Sequence, residues 1–575
     1  MNHIIYQIKD CYFNKNLMFI LLLLISLLII QPLSAQQEIF NSAKDASGKS
    51  LALAKSDYRT KQILDQMDKY DVKEYILDLN VSNSSSMISG NATIVTEVKD
   101  ATIDSFIIEL INNVEANKTY MIVDSVFVNG IKTAFTHDND LINVPLTTSF
   151  TAGARLSVKI YYYGDGQESA LTNYNGILCS APTYNKYGEW ICCSYSEPFW
   201  SKVWFPCKQI LTDKADSVKV IITTENSNRA GANGTLTSVT NLPNKKVRYE
   251  WKSNYPIAYY LISFAVGPYI ENKTYAKLNT PPDSVLIQSY LMNNSPYLSM
   301  QLVAVSKTKR LIELFSKLFG RYPFYKEKYG FCVMPGAWGA MEHQTMTTIG
   351  YMALDTTAGA VGTTYYYWYS AHELGHSWFG DNVTCATWQD IWLNEGFASY
   401  CEYIASQNLE SNDRAAYWMN NAHQAVLGYS GGSVFIPEEF KNDENTIFYY
   451  PIAYKKGPSV LHMIRFELQN DSLFFNVLRS YQQKYRFGSA TGMDFKGVLE
   501  EKSGRDFTDF FNQWYFGQGY PKFKLTWYQK NDTLIVNSNQ TTSTPVVPLF
   551  KMSLELKLNY SLLFPLKTDQ YSGQN

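Results

Sequence analysis

Two histidines four positions apart, with a glutamate beside the first, can do metal chemistry if they lie on a helix. His372, Glu373 and His376 have that spacing. Positions i and i+4 share one helical face, so the two imidazoles can aim at one ion. Glu373 lies near the same face, placed to act on a water rather than to ligate. Only seven histidines occur in the chain. A chance H-E-x-x-H is then on the order of one in a few hundred. A catalytic zinc takes three protein ligands and keeps a fourth position open. Glu395, with eighteen residues between it and His376, is the candidate for the third. As a solvated helix-start carboxylate it would have polar neighbours; it has Trp392, Leu393 and Phe397.

The flanks say how these groups are carried. Tyr366, Tyr367, Trp368, Leu374, Trp378 and Phe379 predict a buried helix that stops at Gly380. A short loop at 381–384 and a second, antiparallel helix would return Glu395 to the histidines.

H-E-x-x-H, eighteen residues, then Glu within W-L-N-E-G-F-A resembles the gluzincin aminopeptidases, the family of aminopeptidase N and leukotriene hydrolase. Gly339-Ala340-Met341-Glu342-His343 resembles that family's G-A-M-E-N exopeptidase motif, and Tyr454-Lys455-Lys456-Gly457 its tyrosine segment. The resemblance runs from about residue 70 to the end. It implies one Zn²⁺ per chain held by His372, His376 and Glu395. It implies Glu373 as general base, acting on a zinc-activated water, and Tyr454 as oxyanion donor, with Tyr449 and Tyr450 as fallbacks. The backbone of Gly339, Ala340 and Met341 would align a peptide, and Glu342 would bind its free α-amine. His343 replaces the usual Asn and reads as a positioning residue, able to hydrogen-bond Glu342. Glu402 matches a family carboxylate behind the metal, against a plain solvated helix position. His423 and His462 read as structural. Near Glu197-Pro198 the family usually has a substrate-touching Gln two residues before the Glu; here that position is Tyr195.

The implied function is a zinc-dependent aminopeptidase that hydrolyses the N-terminal bond of peptides with a free N-terminus. The alternatives are an endopeptidase of thermolysin type, an epoxide hydrolase, and a non-catalytic peptide-binding protein on the same fold. Glu342 argues against the endopeptidase, which has no use for an amine-binding carboxylate. Net charge is −2, from 50 basic and 52 acidic residues. No basic stripe suggests nucleic acid.

The whole chain reads as multidomain α+β: a β-rich N-terminal domain, a thermolysin-like, mainly helical catalytic domain and a partial C-terminal β-sandwich. Residues 1–35 read as a signal peptide. Lys9 and Lys15 precede an apolar run at 17–30, too short to span a bilayer, and a small residue, Ala35, comes after it. The expectation is export to the periplasm or the exterior, with no membrane span in the mature chain. Residues 36–69 read as a leader. From 70 to 270, short alternating runs at 75–81, 91–98, 106–110, 121–128 and 156–163 predict strands. From 271 to 521 the period is helical, at 302–318, 458–468, 472–485, 495–502 and 507–516. Strand-like runs at 523–528, 533–536 and 552–558 fill the partial domain 522–575. The 54 residues after Pro521 are too few for a full sandwich of about 100. Seven cysteines come after Cys11, and export permits disulfides. The cluster Cys179, Cys192, Cys193 and Cys207 is where one is expected.

Overall fold

The computed structural model describes residues 59–557, apart from 100–101, 113–119, 168–174, 184, 186, 279–283, 294–296, 336–338, 351–366 and 532. The signal-peptide expectation and residues 36–58 of the leader lie outside the described residues. The rest of the leader holds α1 (Lys61–Met67), which starts where Thr60 caps Ile63 N and buries Met67. No helix among the described residues is long and apolar enough to cross a membrane.

The N-terminal region is built on the strand Tyr70–Ser82, whose Tyr75, Leu77, Leu79 and Val81 alternate into the core. It pairs antiparallel with Ser85–Val98 and parallel with Ser217–Glu225. Lys246–Ser253 lies beyond Ser217–Glu225. Arg248 reaches back over that strand to grip both oxygens of Asp78 at 2.8 and 2.9 Å. Eight strands make this sheet, and a four-stranded sheet accompanies it. In the smaller sheet Gly176–Ser180 pairs with Ile191–Tyr195, and Cys179 stands directly opposite Cys192. These two form the disulfide, with Cα atoms 4.2 Å apart. Cys193, Cys207, Cys332, Cys385 and Cys401 are free and buried.

Next along the chain is a five-stranded mixed sheet, in the order Tyr269–Lys277, Ser284–Met292, Tyr329–Val333, Thr347–Ile349, Ala340–Met341. The expected boundary at 270/271 falls inside the first of these strands. That strand pairs with Ser284–Met292 along its whole length, from Tyr269↔Met292 to Lys277↔Ser284, so it belongs with the five-stranded sheet. Ala340–Met341 closes the sheet at one edge.

The remainder is mainly helical, its longer helices being α2 (Tyr297–Phe319), α3 (Trp368–Gly375), α4 (Trp392–Ala405), α5 (Asn412–Leu427), α6 (Gly457–Leu468), α7 (Asp471–Lys484), α8 (Gly492–Ser503) and α9 (Thr508–Trp514). Local chemistry fixes their ends. Asn470 caps α7 by accepting from Leu473 N at 3.0 Å. Thr491 and Asp494 form a reciprocal capping box on α8. Phe319, Trp378, Phe379, Phe397, Tyr481 and Phe495 fill the space between α2, α4, α7 and α8. After α9 the chain forms one hairpin, Pro521–Lys530 with Thr533–Thr542. The third expected strand, 552–558, is not formed over its described residues: 551–557 has no ladder partner among the described residues, and 558 lies outside them. Its alternating Met552, Leu554 and Leu556 supply the pattern of a strand, but a strand also needs a paired neighbour.

The disulfide closes a loop of 13 residues between directly paired strands. Replacing Cys179 and Cys192 together by Ser should destabilise this region by about 3 kcal/mol, the value for a loop of that size. A guanidinium titration of the double variant against the oxidised parent measures it.

Candidate active site

Helices α3 and α4 lie close enough for their side chains to meet because Gly375 has no side chain. A Cβ there would stand 2.8 Å from Cys401 Sγ. Gly396 does the same on the other side of α4, where a Cβ would meet the backbone of Gly457 at 3.2 Å. The first helix is shorter than the flanks predict. It ends at Gly375, with His376 as its C-cap, and Gly380 (φ +137°) lies in the turn beyond it. The i, i+4 geometry survives, since His376 N still donates to His372 O at 3.1 Å.

Glu395 sits where the two imidazoles converge. Its Oε2 is 3.0 Å from His372 Nε2 and 3.5 Å from His376 Nε2. The outer nitrogens are engaged elsewhere. His372 Nδ1 is 2.9 Å from Glu402 Oε1, and His376 Nδ1 is 3.1 Å from the Phe379 carbonyl. Acceptors at both Nδ1 atoms leave both Nε2 atoms to face one point, the arrangement that a metal's histidines need. Glu402 is therefore no solvated helix residue; Trp418 Nε1 donates to its other oxygen at 2.7 Å.

The donor set fits a zinc ion. One ligand atom from each of His372, His376 and Glu395 lies within 4.8 Å of the others, and two imidazoles with one carboxylate are a catalytic zinc complement. Charge points the same way. Burial opposes ionisation of every group here. Even so, Glu395 and Glu402 hold His372 well above the ordinary imidazole range, and Glu342 and Glu395 lift His376 to about 10. Burial opposes the charge on Glu395 as well, but His376 and His372 outweigh it and hold its carboxyl at about 2. Burial pushes Glu373 up to about 8. Carboxylates outnumber counter-charges in this buried site, and a divalent cation corrects that imbalance.

The other expected residues gather around this centre. Glu373 and Glu342 each place an oxygen within 4.8 Å of a His376 nitrogen and of one another. Glu342 is 3% exposed, and its Oε1 has no hydrogen-bond partner. It comes directly after the edge strand Ala340–Met341, where Ala340 pairs with Ile349 and Met341 with Thr348. Gly339 enters that strand at φ +88°. No described strand pairs with its outer edge. The Tyr454 ring lies parallel to His372, centroids 5.9 Å apart, on the π-helical turn Pro451–Lys456. Of the fallbacks, Tyr450 stacks behind Tyr454 at 6.0 Å, and Tyr449 turns to Tyr429.

His343 does not do what the sequence suggests. Its Nδ1 meets Thr348 Oγ1 at 3.1 Å, its Nε2 is buried without a partner, and neither nitrogen bonds Glu342. The φ of +63° at Thr345 marks the tight turn that carries His343 into the sheet. Burial drops its pKa to about 3, so it is neutral packing. Glu197 is a residue to which the sequence pattern assigns no role. Its oxygen lies within 4.8 Å of those of Glu342 and Glu395, and its Oε1 is buried and unpartnered. The Glu-Pro pair, which makes a cis peptide, is its one visible signal.

Residues 303–514 match the sequence profile of the peptidase family M1 domain. That stretch holds both histidines, Glu395, Glu342 and Tyr454, and it is similar to the peptidase family M1 domain. The aminopeptidase N of Lactococcus lactis subsp. lactis is 26% identical over 493 residues, covering 82% of this chain and 54% of that protein. A probable aminopeptidase of Sulfurisphaera tokodaii is 32% identical over 225 residues, 38% of this chain and 29% of that protein. The chain spans about half the length of the curated relatives it matches. Among solved structures, the M1 zinc metallopeptidase of Deinococcus radiodurans superposes with a TM-score of 0.63 at 22% identity, over 76% of this chain and 90% of that one. That likeness agrees with a β-rich N-terminal region and a helical C-terminal one.

His376→Ala should abolish stoichiometric zinc, whereas Glu373→Gln, which removes no ligand, should retain it. Metal analysis of the two dialysed variants beside the parent decides whether His376 is a ligand and Glu373 is not.

Proposed function

We propose that this chain is a zinc-dependent aminopeptidase of peptidase family M1, cleaving the first peptide bond of substrates with a free N-terminus. The observation that carries the reading is Glu342: a buried carboxylate with an oxygen that has no hydrogen bond and only a 3.9 Å contact with His376 Nδ1, at the end of an open-edged strand, beside the group fitted for zinc. The assignments are His372, His376 and Glu395 as ligands, Glu373 as base and Tyr454 as oxyanion donor. Gly339, Ala340, Met341 and Glu342 bind substrate.

Zinc, when bound there, supplies a Lewis acid that acidifies water and polarises the scissile carbonyl. The protein's own groups do the rest. The outer edge of Ala340–Met341 offers backbone N–H and C=O groups on which a peptide can lie as an added strand. Such a strand would run its amino end into the space between Glu342 and Glu197, where two buried carboxylates favour one ammonium. Glu373 accepts a proton from the attacking water on a carboxylate oxygen and passes it to the departing amine. Tyr454 donates its phenolic hydrogen to the carbonyl oxygen as negative charge builds. An endopeptidase would have to thread its substrate through the position that Glu342 and Glu197 occupy.

The division at 70–270, 271–521 and 522–575 remains our working domain reading, with the first junction moved to the start of Tyr269–Lys277. We also infer export, from the apolar run at 17–30 and the small residue Ala35. Peptide as the substrate class is in keeping with a solved M1 relative of the same fold from Deinococcus radiodurans, described bound to a Tyr-Ser-Ala substrate.

Glu342→Ala is the test. A charge-assisted pair contributes about 1.5–3 kcal/mol, so kcat/KM on free-amine substrates should fall roughly 10- to 200-fold. Acetylated substrates should change little. An equal loss on both kinds would make Glu342 structural and return the endopeptidase reading to the front.

A further inference from the structure

The helix α5 carries a regular buried stripe of Ala415, Trp418, Met419 and Ala422. Its start is fixed by Ser411, whose hydroxyl accepts from Arg414 N at 3.2 Å. By periodicity Trp418 is packing, and it is 2% exposed. Its one polar atom has a more specific place. Trp418 Nε1 donates to Glu402 Oε2 at 2.7 Å, while Glu402 Oε1 lies 2.9 Å from His372 Nδ1. The carboxylate is spanned end to end: one oxygen is anchored by the indole, the other holds the imidazole.

The face of the indole is also occupied. Lys455 Nζ lies 4.7 Å from the centre of the Trp418 ring. Lys455 comes directly after Tyr454, whose ring lies over His372. The turn Pro451–Lys456 thus meets the histidine with one residue and the tryptophan with the next.

We propose that Trp418 is a positioning residue for the metal: its indole N–H fixes the rotamer of Glu402, and Glu402 in turn fixes the ring of His372. The inference rests on the zinc reading and extends it by one residue outward. A glutamate has three side-chain torsions, each with more than one well. Bonded only to His372, Glu402 could track the imidazole as it swings. Bonded also to Trp418, it cannot. Outer partners of metal-bound histidines typically carry a 10- to 100-fold effect on metal affinity.

Trp418→Phe keeps most of the ring and its contact with Lys455 but removes the N–H. Zinc affinity is read by competition against a chelator of known strength, on the full-length protein. The variant should bind zinc 10- to 100-fold more weakly. Its zinc-free form should melt near the parent's zinc-free temperature, which a merely structural loss would lower. In a Glu402→Gln background, Trp418→Phe should add little further loss, since the two residues act in series. Should Trp418→Phe not fold, Trp418→Tyr, whose hydroxyl stands elsewhere on the ring, serves in the same cycle. Parental zinc affinity in the single variant, or losses that add fully in the double, would overturn the proposal and leave the zinc reading intact. A parent chain that takes up no zinc would overturn both.

Discussion

The arrangement that the rest of this protein depends on is one carboxylate buried between two imidazoles. Glu395 is 3% exposed and His376 1%. Ionised groups are costly to bury unless each finds an opposite charge or a donor. Glu395 meets both Nε2 atoms, and each Nδ1 meets an acceptor of its own. Those acceptors are held in turn. Trp418 holds Glu402, and the turn after α3 holds the Phe379 carbonyl. Polarity is passed outward until it reaches groups that the backbone can satisfy.

That turn shows how far outward the support extends. Lys214, from the N-terminal region, is buried and donates to the carbonyls of Asp381 and Asn382 at 2.8 and 3.2 Å. Asn382 also reaches Gln482 on α7 and accepts from Phe487 N. Lys328 does the same beneath the turn at 343–345, donating to Thr345 O and Ala232 O. Asn233 joins them by donating to Gln344 O and Leu261 O. The two segments that flank the His372, His376 and Glu395 group are thereby pinned to residues far from them in sequence, Lys214 and Asn233 among them.

The sequence was most legible where chemistry demands residue types at fixed spacing. His372, Glu373, His376 and Glu395 need a helix, a turn and a helix, and no other arrangement of eighteen intervening residues brings a carboxylate back so simply. Five strands of the first region, between 75 and 163, were legible for a different reason, the alternation of polar and apolar residues, whereas Ile191–Tyr195 and Phe264–Gly267, buried on both faces, carry no such pattern. What escaped was anything decided by tertiary neighbours. His343 could have turned toward Glu342 or away, and only the Thr345 turn settles it. Glu197 comes from a loop about 145 residues before Glu342, and only the proline after it marks the place. Trp418 reads as core because it is core; its N–H partner is invisible to periodicity. The run at 552–557 has a strand's alternation without a strand's partner.

These long-range contributions bear on what counts as the functional unit. The profile match covers 303–514, which includes both histidines, Glu395, Glu342 and Tyr454. It excludes Glu197, Lys214 and Tyr260. Yet Asn394, the neighbour of Glu395, donates to Tyr260 OH at 3.0 Å while accepting from Cys385 N. The start of α4, and so the position of Glu395, is therefore set partly from the N-terminal region. A buried amide with one partner removed loses orientation before it loses burial. On these contacts the helical region alone would keep its ligands but not the constraints that aim them, and the β-rich region is part of the site rather than a companion to it.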